Sequence, residues 1–217
     1  MAHPIPTRPP SFLHPLVHPL LLHRAAKPVV WCLCLAPLAW LVVALFTQQL
    51  GANPAEALLR STGDWALRGL CLALAITPLR QLTGQPALAR LRRMVGLWAF
   101  AYALLHLLAY AWLDRGLEWS ELLADIAQRP FILVGTLAWG LLLLLALTSF
   151  DAAIRWLGGK RWRALHRAVY LVAPLALLHF YWMRLGKNQW AEVAVYAAIV
   201  AALQWWRIRS RRTRGKA

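Results

Sequence analysis

Six apolar stretches, at about 29–46, 65–82, 94–113, 131–149, 166–183 and 189–206, constrain this chain more than any other feature. Each is roughly 18–20 residues, enough to cross a bilayer core of about 30 Å as a helix at 1.5 Å per residue. A backbone in lipid must satisfy its own hydrogen bonds, so the spans are helices. Runs such as LLLLLAL at 141–147 lack the period-2 alternation of a strand. The expected fold is an all-α membrane protein, a six-transmembrane-helix bundle over 29–206. It is flanked by an irregular, Pro-rich cytoplasmic tail (1–28) and a basic cytoplasmic tail (207–217). Arg24 and Lys27 before the first span resemble the start of a signal peptide. The apolar run is long for one and no small-residue cleavage site follows, so it is read as an uncleaved span.

Charge placement gives orientation. With the N-terminus inside, the inner segments hold 18 of the 24 basic residues, including Arg80, Arg90, Arg92, Arg93, Arg155, Lys160, Arg161, Arg163 and Arg167. The outer side keeps Arg60, Arg68, Arg115, Arg129, Arg184 and Lys187, and all the acids but Asp151. This is the positive-inside pattern. It turns the net charge of +16 into a topology signal, with membrane lipid and not nucleic acid as the partner. Many of the 13 Trp fall near span ends, as an aromatic belt would place them. Composition agrees: 60% hydrophobic and 15% charged fits neither a soluble domain nor a disordered chain. Cys32, Cys34 and Cys71 lie in apolar runs and give no disulfide framework or zinc spacing. There is no CxxCH, GxGxxG or P-loop.

The histidines carry the chemistry. His3, His14, His18 and His23 belong to the N-terminal tail. His106 lies within the third span, and His166 and His179 bound the fifth. An ionisable side chain inside a membrane is a functional-site candidate. His106 is 12 residues beyond Met94 and His179 is 13 beyond His166, which places both about 18–20 Å along helices of the same direction. Two imidazoles at equal depth can ligate one heme iron from opposite faces. Such bis-His ligation suits electron transfer, since it leaves no open coordination position. Ala101, Ala103, Ala109, Ala173 and Ala176 leave room for a flat ring. The simpler alternative is hydrogen bonding across the bundle. His166 is open between sole ligand of a second heme, part of a quinol or flavin site, and an interfacial side chain. Arg92 and Arg93, with Arg161 and Arg163, form an inner rim. It suits heme propionates, a quinone head group or a flavin phosphate, or reflects topology alone. Arg68 and Glu192 either pair, or Arg68 holds an outer propionate, or they reach outward. Glu118, Glu121 and Asp125 read as a solvated outer loop able to dock a partner, and Cys32 and Cys34 as small packing residues. A proton-coupled transporter or a membrane scaffold using the same histidines without heme is the rival reading. The transporter lacks a buried carboxylate chain, Glu192 being the one acid within a span.

LRRMVGLWAFAYALLHLLAY (91–110) and GKRWRALHRAVYLVAPLALLHFYW (159–182) resemble the MsrQ family, the heme-binding membrane subunit of the bacterial periplasmic protein-methionine-sulfoxide reductase system, within the ferric-reductase-like transmembrane group. GDWALRGLCLALAITPLRQL (63–82) and RPFILVGTLAWGLLLLLALTS (129–149) also match that family's pattern. The resemblance implies a multi-pass bacterial inner-membrane cytochrome with b-type heme, one or two in number, and with FMN. It would pass electrons from the quinone pool or a cytoplasmic flavin reductase to a periplasmic molybdopterin enzyme that reduces methionine sulfoxide in oxidised proteins. By motif, His106, His166 and His179 become the heme-related histidines. The wider group carries two histidines on each ligand helix and a C-terminal flavin and nicotinamide domain. Here the third span has one histidine, and the electron donor is expected to be external.

Overall fold

The computed structural model of the chain describes residues 23–186 and 188–214. His3, His14, His18 and Lys187, most of the expected N-terminal tail and the last three residues lie outside the described residues. Among those described the chain is all-helical, with no strand: α1 (Ala26–Phe46), α2 (Pro54–Thr83), a 3-10 turn (Pro86–Arg90), α3 (Arg92–Ala109) running into a π-helical turn (Tyr110–Asp114), α4 (Trp119–Gln128), α5 (Pro130–Leu147), α6 (Asp151–Leu165), a 3-10 turn (His166–Ala168), α7 (Val169–Leu185) and α8 (Trp190–Arg214).

Five helical segments are long and apolar enough to cross a membrane: Ala26–Phe46, Pro86–Asp114, Pro130–Leu147, Asp151–Leu185 and Trp190–Ser210. The stretch 65–82, expected as another span, lies inside α2, which is not one of the five. Arg68, Arg80 and Gln81 dilute its apolar character. That helix is nevertheless central. Its core residues Leu67, Leu70, Cys71 and Leu74 meet Ala99 of α3, Ala138 of α5, Val172, Ala173 and Phe180 of α7, and Val193 and Val200 of α8. The α2–α3 pair is tightest, because at Gly69 an added Cβ would come 3.1 Å from the Ala99 backbone. Small residues bring membrane helices this close when no hydrophobic force acts between them. α1 lies at the periphery with Trp31, Leu33, Trp40, Val43 and Phe46 exposed, as a lipid-facing helix requires.

Several elements depart from the expected boundaries for local reasons. α2 begins eleven residues earlier than the apolar run, because Asn53 accepts a hydrogen bond from Glu56 N at 3.1 Å and Pro54 occupies the first turn. It stops at Gly84, which is left-handed at φ 67°. The segment 114–130, expected as a loop, contains the short helix α4, which buries Leu122 and Asp125. The basic segment before the fifth span is also helical. It is broken at Gly158 (φ 72°, ψ 148°), a conformation closed to residues with a Cβ. α8 carries the basic 207–214 segment as continuous helix.

In α1, Pro37 has no N–H to offer the helix. One residue on, the buried Tyr102 hydroxyl enters the hydrogen-bond ladder. It donates to Cys34 O at 2.7 Å and accepts from Leu38 N at 3.1 Å. Cys34 thus contributes its carbonyl to this contact, Cys32 is exposed, and Cys71 is buried in the core.

Candidate functional site

His106 on α3 and His179 on α7 face each other with ring centroids 6.1 Å apart and planes at 79°. Each ring is held from behind in the same way. His106 Nδ1 lies 2.8 Å from Leu59 O on α2, and His179 Nδ1 lies 2.7 Å from Phe131 O on α5. A carbonyl only accepts, so each Nδ1 carries the hydrogen and donates it, which leaves the lone pair on Nε2. Four residues beyond each carbonyl stands a glycine. A Cβ on Gly63 would come 2.9 Å from His106 Nδ1, and one on Gly135 would come 2.8 Å from His179 Nδ1. Each ring therefore occupies the space a side chain would fill, on a helix turn whose carbonyl fixes its tautomer.

This donor set fits a metal held between two imidazoles. With a metal–nitrogen distance of about 2.0 Å, two opposed imidazole rings have centroids about 6 Å apart, and the observed spacing is 6.1 Å. A second-sphere acceptor on the far nitrogen is the usual companion of a ligating histidine. Among the described residues, no group of three or more His, Cys, Asp and Glu is arranged to hold a metal ion, and the candidate donors here are His106 and His179.

His166 is not part of this pair. It lies some 20 Å away along the chain's helical path, at the basic end of the bundle. There it stacks on Trp162 (4.0 Å, 28°) and places Nε2 3.1 Å from Thr148 Oγ1, while Trp162 Nε1 donates to Thr148 O at 2.8 Å. Arg92 lies near enough for its charge to act on His166. Arg93 ion-pairs with Asp151 across α3 and α6. Arg161 and Arg163 are exposed on α6.

At the opposite end the structure shows polar contacts that sequence reasoning missed. Arg184, counted from sequence among the outer cations, is 5% exposed. It grips Asp64 of α2 with Nη2 at 2.7 and 2.9 Å, donates to Gln189, meets Glu192 at 3.4 Å and lies over the Phe180 ring at 4.9 Å. Arg60 donates to the same Gln189 oxygen at 2.8 Å. Glu192 thus pairs with Arg184 and not with Arg68. Arg68 donates to Tyr196 Oη at 3.0 Å and lies over Trp65 at 4.7 Å. Asp125, read from sequence as part of a solvated loop, is buried. It ion-pairs with Arg115 (2.8 Å) and Arg129 (2.9 Å) and accepts from the Tyr110 hydroxyl. The amphipathic spacing of α4 turns Asp125 inward beside Leu122, whereas Glu118 and Glu121 stay exposed. Asp64 adjoins Gly63, so the Arg184 network is tied to the helix turn behind His106.

Residues 62–177 match the family described as ferric reductase like transmembrane component. The chain is 60% identical over 188 residues (87% of this chain, 86% of the relative) to the protein-methionine-sulfoxide reductase heme-binding subunit MsrQ of Polaromonas naphthalenivorans. Its counterparts of the same name in Ralstonia nicotianae and Bordetella pertussis are 49% and 50% identical, each over 84% of this chain and 86% and 88% of their own lengths. No solved structure matches the chain.

Proposed function

This chain belongs to the MsrQ family of protein-methionine-sulfoxide reductase heme-binding subunits, and from that premise we propose that it is a b-type cytochrome passing electrons across the bacterial inner membrane. The observation that carries the reading is the opposed His106–His179 pair, 6.1 Å between ring centres. Each Nε2 is made the ligating atom by a backbone carbonyl on the other nitrogen. In this reading α2 is a sixth span and both termini are cytoplasmic, because the basic end of the bundle takes the positive-inside side.

A heme bound between these histidines supplies reversible one-electron exchange at its iron. The chain's own residues do the rest. The carbonyls of Leu59 and Phe131 hold both rings in one tautomer, so the site does not reorganise when the charge changes. His106 and His179 would hold such a heme with two protein donors, an arrangement that would suit electron transfer over oxygen chemistry. His106 and His179 form a station in the periplasmic half, from which electrons leave to a periplasmic molybdopterin subunit that reduces methionine sulfoxide. Electrons enter at the opposite end from the quinone pool or a cytoplasmic flavin reductase, where Arg92, Arg93 and His166 stand. His166 there takes either a second heme or the donor's head group.

The test is a dithionite-reduced minus air-oxidised visible spectrum of the detergent-purified protein, with heme and protein quantified. A six-coordinate low-spin b-type spectrum is expected. Colourless protein from heme-replete cells overturns the reading.

A further inference from the structure

At the basic end, an open cleft of about 360 Å³ lies between α1 and α3. Its rim carries Lys27, Arg90 and Arg93, and its floor is Trp31, Leu97 and Trp98. The two indoles meet edge to face at 5.4 Å and brace α1 against α3. Trp31 and Leu97 are 47% and 39% exposed, so the floor continues onto the lipid-facing surface. Of the three cations, Arg93 is matched by Asp151. No ion pair or hydrogen bond from Lys27 or Arg90 is found among the described residues. The cleft therefore combines unmatched positive charge at the membrane-surface level with an apolar floor running toward the bilayer core.

We infer that this cleft binds one anionic phospholipid, its phosphate headgroup between Lys27 and Arg90 and an acyl chain along Trp31, Leu97 and Trp98. Basic pockets between spanning helices on the cytoplasmic side are a recurrent form of anionic-lipid site. A flavin or other planar nucleotide fits less well. The cleft offers no carboxylate, amide or hydroxyl side chain at depth to meet the polar edge of such a ring. General positive-inside bias places cations at loops but does not require an apolar cleft beneath them. The lipid would fill the gap beside α1, whose Trp31, Leu33 and Trp40 are exposed.

The test is native mass spectrometry of the full-length, detergent-purified protein titrated with phosphatidylglycerol or phosphatidylcholine. One phosphatidylglycerol is expected to bind in preference to phosphatidylcholine. The Lys27→Gln/Arg90→Gln variant is expected to weaken that binding about thirtyfold, since it removes two surface cations that each contribute about 1 kcal/mol toward an anionic headgroup. Lys27→Arg/Arg90→Lys keeps the charge and is expected to retain the lipid. Arg155→Gln/Lys160→Gln, which removes the same charge from the same end, is expected to leave it unchanged. Equal loss in both neutralised variants, or equal binding of phosphatidylcholine, overturns the site. So does displacement of the lipid by excess inorganic phosphate or FMN, which would make the ligand a free phosphate compound. Circular dichroism checks each variant, and Arg90→Gln alone replaces any double variant that loses helicity.

Discussion

The guanidinium of Arg184 contacts both carboxylate oxygens of Asp64, at 2.7 and 2.9 Å, across 120 residues of sequence. The pair joins α7 to α2, the helix that contains the turn behind His106. It is the one strongly buried arginine among the described residues, and its partner is the immediate neighbour of Gly63.

In the proposed cytochrome, removing either charge should therefore shift the midpoint potential. Arg184→Gln leaves Asp64 uncompensated and is expected to lower the midpoint potential, because a nearby negative charge disfavours the reduced, less positive iron. Asp64→Asn is expected to raise it. At about 10 Å and an effective dielectric of about 20, the Coulomb scale is on the order of tens of millivolts. Potentiometric titration reads both signs. A shift in the same direction for both variants would show that distortion, not charge, dominates.

If both histidines hold one heme as proposed, His106→Ala and His179→Ala should each abolish the same low-spin spectrum, since either change removes one of the two proposed ligands. Heme-to-protein ratio and absorption of purified variants check this. Retention of the parent spectrum by either one rejects the shared ligation.

The two glycines behind the rings give a sharper test, because neither is a proposed ligand. Gly63→Ala and Gly135→Ala each put a Cβ within 2.9 Å of an imidazole nitrogen. Overpacking of this kind costs about 1–3 kcal/mol, so heme retention through gel filtration should fall roughly tenfold. Gly96→Ala and Gly140→Ala meet nothing within 4 Å and should behave as the parent. If all four variants hold heme equally, the rings are not confined as described.

Asp125→Asn should loosen the segment 114–130. The substitution leaves Arg115 and Arg129 facing a neutral amide in place of a shared carboxylate. Breaking a buried ion pair by removing one partner costs about 3 kcal/mol. Limited proteolysis is expected to cut this segment faster in the variant, with the visible spectrum unchanged.

Tyr102→Phe should cost about 1 kcal/mol, since Leu38 N and Cys34 O lose the hydroxyl that bridges them. Thermal unfolding checks this.

Much of this architecture was legible in the sequence. Runs of about 20 apolar residues announce helices because lipid leaves the backbone no alternative. Equal helical depth put His106 and His179 on the same level before any coordinates. What escaped has definite physical causes. α4 and the extra turns of α2 are polar, so hydropathy passed over them, although Asn53-Pro54-x-Glu56 is a helix-start signature. The Arg184–Asp64 pair has no sequence spacing that could reveal it. The carbonyl partners of the histidines are backbone atoms, indifferent to the identity of Leu59 and Phe131. Their trace in the sequence is the glycine four residues on, a residue that helix interiors otherwise disfavour.

The matched carbonyl-and-glycine seats also bear on how the chain is made. His106 is seated by α2, which leaves the ribosome before it, and His179 by α5, likewise earlier in the chain. Each half can therefore prepare its own imidazole as it enters the membrane. Neither half contains the facing pair, which is completed when α7 takes its place. In the proposed function the pair is therefore complete only near the end of synthesis, and a chain truncated before Val169 would carry one seated histidine and nothing opposite it.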